Sequence, residues 1–125
     1  MNLLSSLDTL SKVMMATYIG HLDEPWFSLM QCGVKTVEGR LNKGGYSILE
    51  IGDTIEFTPS ESIAKSFTLA IKEIRVYASF QDYLCAEGLG RCLPGVLTVN
   101  DGVAIYRKFY SEADEVKFGV KAFAF

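Results

Sequence analysis

The stretch CGVKTVEGRL, Cys32 to Leu41, places Lys35, Glu38 and Arg40 within six residues of an otherwise apolar or small segment. Each of the three has a chemistry of its own. A lysine in a partly dry cleft gives up its proton more easily and acts as a base or nucleophile, or it stands as a plain cation against phosphate. The planar guanidinium of Arg40 can hold a phosphate or carboxylate in a two-pronged pair. Glu38 with Lys35 is a candidate acid–base pair, because catalytic pairs often combine groups with opposed pKa shifts. The plain alternative is a solvated strand edge on which Glu38 fixes Lys35 or Arg40. Such exposed pairs are worth only roughly 0–1 kcal/mol, so stability alone gives little reason to place one there.

The elements that must position these residues can be read from periodicity and turn chemistry. ATYIGHL, Ala16 to Leu22, has the β-branched and aromatic content of a strand. EPWFSLMQC reads as a helix capped by Asp23, with Pro25 in its first turn and Gly33 free to take the left-handed position after it. KTVEGRL alternates, so Thr36, Glu38 and Arg40 share one strand face, while Val37, Gly39 and Leu41 share the other. NKGGY is a loop, and IGDTIEF is a tight turn at Gly52–Asp53 followed by a strand. TPSESIAKS reads as a further loop. FTLAIKEIRVYA is the longest strand candidate, and its parity slips near Glu73–Ile74, which marks a bulge or a change of covered face.

SFQDYLCAEG is a helix between a Ser79/Asp82 capping box and a Gly88 stop. VNDGVAIYRKFYS is a helix with Val99, Val103, Tyr106 and Tyr110 on one face, and SEADEVK is a polar turn or helical fragment. KFGVKAFAF is a terminal strand. The order β-α-β-β-β-α-α-β, without a βαβ repeat, predicts an α+β domain built on a small, mostly antiparallel β-barrel with flanking helices.

Bulk properties narrow the function classes. A chain of 125 residues with 49% apolar content suits one compact domain, divided here into an N-terminal helical extension, 1–15, and a domain over 16–125. Leu3, Leu4, Leu7, Leu10 and Val13–Met14 give the extension an amphipathic pattern. No apolar run of membrane-spanning length occurs, and the start has no secretory pattern, so the expectation is an intracellular protein, cytoplasmic or nuclear and not secreted. Cys32, Cys85 and Cys92 form no disulfide framework and are expected to be buried, reduced thiols. With His21 the single histidine and no Cys-x-x-Cys pair, neither zinc nor another cofactor is expected, and His21 is read as structural. A net charge of −3 argues against a general polyanion binder but leaves room for a local basic cleft.

EPWFSLMQCGVKTVEGRL followed by IGDTIEF resembles the ASCH domain, a branch of the PUA-like superfamily. The family pattern runs helix, Gly-x-Lys-Thr-x-Glu-x-Arg, a short insertion, Gly-Asp and an apolar strand. Gly33, Lys35, Thr36, Glu38, Arg40, Gly52 and Asp53 stand in those places, and LPGVLTVNDGVAIYRKFYSEADEVKFGVKAFAF resembles the ending of many members. The resemblance implies a small barrel with a cleft where the first helix meets the Lys–Glu–Arg strand. It also implies functions centred on RNA: binding, coactivation, processing, RNA cleavage in some members, and removal of an acyl group from a modified cytidine in one bacterial branch. That branch has a threonine three residues after the lysine and a distant glutamate. Here Glu38 occupies the threonine position, Thr36 lies one residue from Lys35, and Glu87 is a candidate for the distant carboxylate.

Around the implied cleft, Trp26, Lys43, Tyr46, Arg75, Tyr106 and Arg107 are candidate neighbours, since aromatic faces stack on unpaired bases. Core packing is the competing role for Trp26 and Tyr106. Three readings follow. The first is a module binding single-stranded RNA, a nucleotide or a nucleoside, with Lys35 and Arg40 on phosphate, Tyr46 stacking, and Thr36, Trp26, Lys43, Arg75 and Arg107 as further contacts. The second is a metal-independent ribonuclease or nucleoside amidohydrolase, with Lys35 and Glu38 catalytic. The third is a protein-interaction domain that docks a partner through residues 1–15.

Overall fold

The computed structural model describes residues 16–60 and 65–125; the amphipathic helix expected over 1–15 lies outside them. Among the described residues, six strands form two three-stranded sheets. In the first, β3 (Thr54–Pro59) lies between β1 (Thr17–Leu22), to which it runs parallel, and β4 (Phe67–Ala70), to which it is antiparallel. In the second, β6 (Val120–Ala124) lies between β2 (Val37–Leu41) and β5 (Glu73–Tyr77), antiparallel to both.

The α+β class and the mostly antiparallel pairing hold, but the described residues form no closed barrel. The long strand expected over Phe67–Ala78 is the reason. It breaks after Ala70, and the chain leaves the first sheet there and enters the second at Glu73. The parity slip at Glu73–Ile74 is the sequence trace of that change of sheet. Gly39 pairs with Ala122, and Phe123 pairs with Glu38 on one side and Ile74 on the other.

Strand β6 is the shared wall of the core. Val120 and Ala122 face a cluster with Val37, Leu41, Phe80, Tyr83, Leu84 and Tyr106. Phe123 points the other way, into a cluster with Leu22, Phe27, Met30, Leu49, Ile55, Phe57 and Ile71. Burial on both faces is why this strand lacks the clean apolar–polar alternation of a half-exposed one.

Helix α1 (Trp26–Gln31) buries Phe27 and Met30 against the first sheet. Asp23 was expected to cap it. Instead Pro25 occupies the cap position, and the Glu24 carboxylate accepts from the Ser28 N–H at 2.8 Å and the Ser28 hydroxyl at 2.5 Å. Gly33, at φ +86°, takes the left-handed conformation expected after this helix. NKGGY closes into a short helical turn, α2 (Gly45–Ile48), whose carbonyls are gathered by the buried Lys121 ammonium: Tyr46 O at 2.9 Å, Ser47 O at 3.2 Å and Leu49 O at 2.8 Å.

Helices α3 (Phe80–Glu87), α5 (Val99–Arg107) and α6 (Glu112–Phe118) begin alike. Ser79, Thr98 and Ser111 each accept from the N–H three residues on, of Asp82, Asp101 and Asp114. A short α4 (Leu89–Cys92) follows α3 where a connector was expected. Asp53 latches the turn before β3 by accepting from Ala16 N–H and Glu50 N–H. The cysteines are free, but only Cys92 is buried. Cys32 and Cys85 are exposed because they sit on outward faces of short helical segments, so the expectation of three buried thiols fails for two.

Candidate functional site

The second sheet, the β1–α1 corner and the C-terminal end of α5 enclose a cavity of about 240 Å³. Lys35, Glu38, Gly39 and Arg40 contribute to its floor; Leu22, Trp26, Leu93, Ile105, Tyr106, Phe109 and Tyr110 supply apolar and aromatic wall; His21, Asp23 and Ser60 complete the lining. Strand alternation places Glu38 and Arg40 on the same face. The C-cap turn at Gly33 folds Lys35 inward, with its backbone N–H bonded to Leu29 O.

Lys35 is 1% exposed. Its ammonium donates to Val37 O and Cys92 O, both at 2.5 Å, and sits 3.3 Å from Glu38 Oε1. Three acceptors match the three donors of an ammonium, so the group ties α4 to β2 as well as lining the cavity. Glu38 lies between two cations. Its Oε2 accepts from Arg40 Nη2 at 2.9 Å and Nε at 3.3 Å, while Oε1 faces Lys35. Burial pushes this carboxyl up, but Lys35 and Arg40 outweigh it and hold the pKa below its ordinary value. Glu38 is therefore an ionised acceptor at neutral pH.

Arg40 also donates from Nη1 to the Tyr46 hydroxyl at 2.9 Å and from Nη2 to His21 O at 2.7 Å. Burial opposes its charge, Glu38 more than compensates, and its pKa rises. Counting one proton per bond, these contacts engage four of the five guanidinium N–H groups, and the Tyr110 phenol, which lines the cavity, faces the guanidinium as well.

Of the candidate residues, the structure brings Trp26, Lys35, Glu38, Arg40 and Tyr106 together. Tyr46 stands behind Arg40. Its ring centroid is 5.1 Å from the guanidinium carbon, it packs on Tyr18 and Phe123, and burial pushes its phenol up to about 12. Thr36 is fixed by its backbone to Arg91 and Phe125. Arg75 makes a two-pronged pair with Glu87 and reaches Glu73, and Tyr77 also bonds Glu87, so that glutamate braces α3 against β5 and does not line the cavity. Arg107 pairs with Glu115, which also accepts from Phe80 N–H. Lys43 lies over Phe118.

Tyr110, Phe109, Ile105, Asp23 and Ser60 were not among the sequence candidates. Tyr110 shared an apolar face with Tyr106, four residues earlier, and the pattern could not separate a core face from a cavity wall. Phe109 is 61% exposed, which no periodicity reports. Among the described residues, no three His, Cys, Asp or Glu side chains gather as metal ligands, and no helix is long and apolar enough to cross a membrane.

The position of Tyr46 has a measurable consequence. Tyr46→Phe keeps the ring and removes the acceptor for Arg40 Nη1. Bonds to charged groups are worth roughly 1.5–3 kcal/mol, so a loss near the lower figure is expected in urea unfolding. An unchanged midpoint would mean that the hydroxyl does not hold Arg40.

Comparison with known proteins fits this architecture. Solved structures similar to the chain include that of the hypothetical protein PH0355, 36% identical, with a TM-score of 0.78 over 86% of this chain and 95% of that one. Protein PF0455 from Pyrococcus furiosus is 35% identical, with a TM-score of 0.69 over 86% and 94%. A serine-to-alanine mutant of ZmASCH from Zymomonas mobilis shares the fold at 14% identity, with a TM-score of 0.60 over 86% of this chain and 66% of that one. No curated protein matches. The sequence profile of the ASCH domain matches residues 21–125, so the chain belongs to the ASCH domain family.

Proposed function

We propose that the cavity binds one base of a single-stranded RNA, or a free nucleoside, and leaves the sugar–phosphate backbone outside. The observation that carries this reading is the pairing at the floor of a guanidinium donor, Arg40, which the Tyr110 phenol also faces, with an ionised carboxylate acceptor, Glu38, 2.9 Å away. A donor beside an acceptor complements the donor–acceptor edge of a nucleobase. It suits phosphate less well, because phosphate needs convergent donors and both cations are already engaged by protein acceptors. Charge agrees. Glu38 and Asp23 offset Lys35 and Arg40, so the lining carries no net positive charge with His21 neutral. The volume, about 240 Å³, falls below the roughly 300–1,000 Å³ of pockets for drug-sized ligands, which suits one ring system rather than an oligomer. Trp26, Tyr106 and Phe109 supply aromatic surface, and base–aromatic stacking contributes about 1–3 kcal/mol per base.

Arg40→Ala is expected to weaken binding of a short single-stranded RNA by at least about tenfold, equivalent to about 1.4 kcal/mol. Arg40→Lys, which keeps the charge and loses the fork, is expected to bind weakly too. Binding like that of the unaltered protein by a folded Arg40→Ala variant would reject the reading.

The Lys35–Glu38 pair supports a second reading, a metal-independent hydrolase of RNA or of a modified nucleoside, with the ionised carboxylate as base and the ammonium as acid. RNA incubated with the protein would then be shortened, and Lys35→Ala would abolish the shortening. RNA that stays intact, together with nucleosides that stay unmodified, would leave binding alone.

A further inference from the structure

The cavity accommodates one base, and a second feature lies close to it. Lys43, from the connection between β2 and α2, and Lys117, near the end of α6, both hold their ammonium groups over the Phe118 ring, 5.2 and 5.1 Å from its centroid. Both lysines are exposed. Among the described residues, neither has a carboxylate partner. Seated on one ring, they stand at most about 10 Å apart, close enough to add to one local positive field. Each exposed ammonium is free to take an anion such as a phosphodiester. The half-buried ring gives each lysine a fixed seat, since a cation over an aromatic face is attracted to it.

The patch is near the cavity along both chain segments. Lys43 follows Arg40 by three residues, at most about 10 Å of extended chain. Tyr110, which lines the cavity, immediately precedes α6, and about 10 Å of helix separates it from Phe118. The two segments are tied where Asn42 N–H bonds Gly119 O at 3.0 Å.

We propose that Lys43, Lys117 and Phe118 form a backbone-binding patch that takes the phosphodiester groups flanking the base held in the cavity, making the ligand an oligonucleotide rather than a free nucleoside. This rests on the cavity's binding a base, and it assigns phosphate recognition to residues outside the cavity.

The test uses the full chain, the Lys43→Gln/Lys117→Gln double variant, a ten-nucleotide single-stranded RNA and free uridine and cytidine. Each phosphate contact on a single strand contributes about 0.7 to the slope of log affinity against log salt, so the double variant is expected to lower the slope by about 1.4. At low salt its affinity for the oligonucleotide is expected to fall about tenfold, while nucleoside affinity stays within about twofold. Both substitutions are on exposed side chains, so the fold is retained. An unchanged slope overturns the patch. So does an equal loss of nucleoside and oligonucleotide binding, which would make the lysines structural. Equal competition by polyglutamate overturns it in favour of an acidic protein partner. If nucleosides fail to bind but the oligonucleotide slope still drops in the variant, the patch stands and the cavity reading falls.

Discussion

Glu38→Ala is expected to destabilise the protein by about 3–5 kcal/mol, because it strips the shared carboxylate from two buried or nearly buried cations, Lys35 and Arg40. A loss of that size approaches half the total stability of an ordinary small domain. Denaturant unfolding of the variant at neutral pH measures it; a loss under about 1 kcal/mol would place the triad in the weak class of solvated surface pairs. The same carboxylate gives a pH dependence. Its folded pKa lies below the ordinary value of 4.5, so the folded state binds its proton more weakly than the unfolded chain does. The stabilisation is fully present above about pH 4.5 and is lost as the pH falls through the lower folded value. The urea midpoint of the unaltered protein should therefore decline on acidification across that window. Glu38→Gln, already lacking the charge, should decline less steeply over it.

Gly39→Ala is expected to cost about 1–3 kcal/mol, the usual range for overpacking. A methyl group at that position would lie 2.5 Å from Tyr83 Cζ and 2.9 Å from its hydroxyl oxygen. The tyrosine cannot move aside cheaply. It is fully buried, its ring packs on Tyr77, Phe80 and Tyr106, and its hydroxyl meets that of Tyr106 at 3.2 Å. Because Tyr106 also lines the cavity, the strain should reach the site, and RNA affinity should fall with stability. A Gly39→Ala/Tyr83→Leu pair should recover part of the loss, since the smaller side chain makes room for the methyl. A Gly39→Ala variant as stable as the parent would mean that the ring shifts freely. The glycine in VEGRL thus has a packing role between two charged residues of the site.

The sequence exposed some features and concealed others for identifiable reasons. Helix ends were legible because their chemistry is local. Ser79 with Asp82 and the stops at Gly33 and Gly88 all take the predicted places. Glu24 displaced Asp23 as the side chain serving α1 because both are acidic and only the backbone path decides which one reaches Ser28. The change of sheet at Ile71–Lys72 was legible only as a parity slip. Which sheet each half joins depends on pairings with β3 and β6 that are distant in the chain. In the site, strand alternation put Glu38 and Arg40 on one face, whereas Lys35 reaches the cavity through the turn after Gly33 and Thr36, expected on their face, does not line it. The mutual saturation of Lys35, Glu38 and Arg40 was not legible, because Val37 O, Cys92 O and His21 O are backbone groups that no side-chain pattern reports. Arg75 and Arg107 are sequence candidates of the same kind as Arg40, yet each is tied to a carboxylate outside the cavity lining.

The central claim is that the floor of the cavity reads a base. The most direct measurement is a titration of isotope-labelled protein with uridine or cytidine and, separately, with ribose 5-phosphate, followed by backbone amide and tryptophan indole resonances. The account predicts that a nucleoside shifts the amides of Glu38, Gly39 and Arg40 and the indole of Trp26, while ribose 5-phosphate leaves them in place at the same concentration. Shifts at those residues with ribose 5-phosphate, and none with either nucleoside, would contradict it.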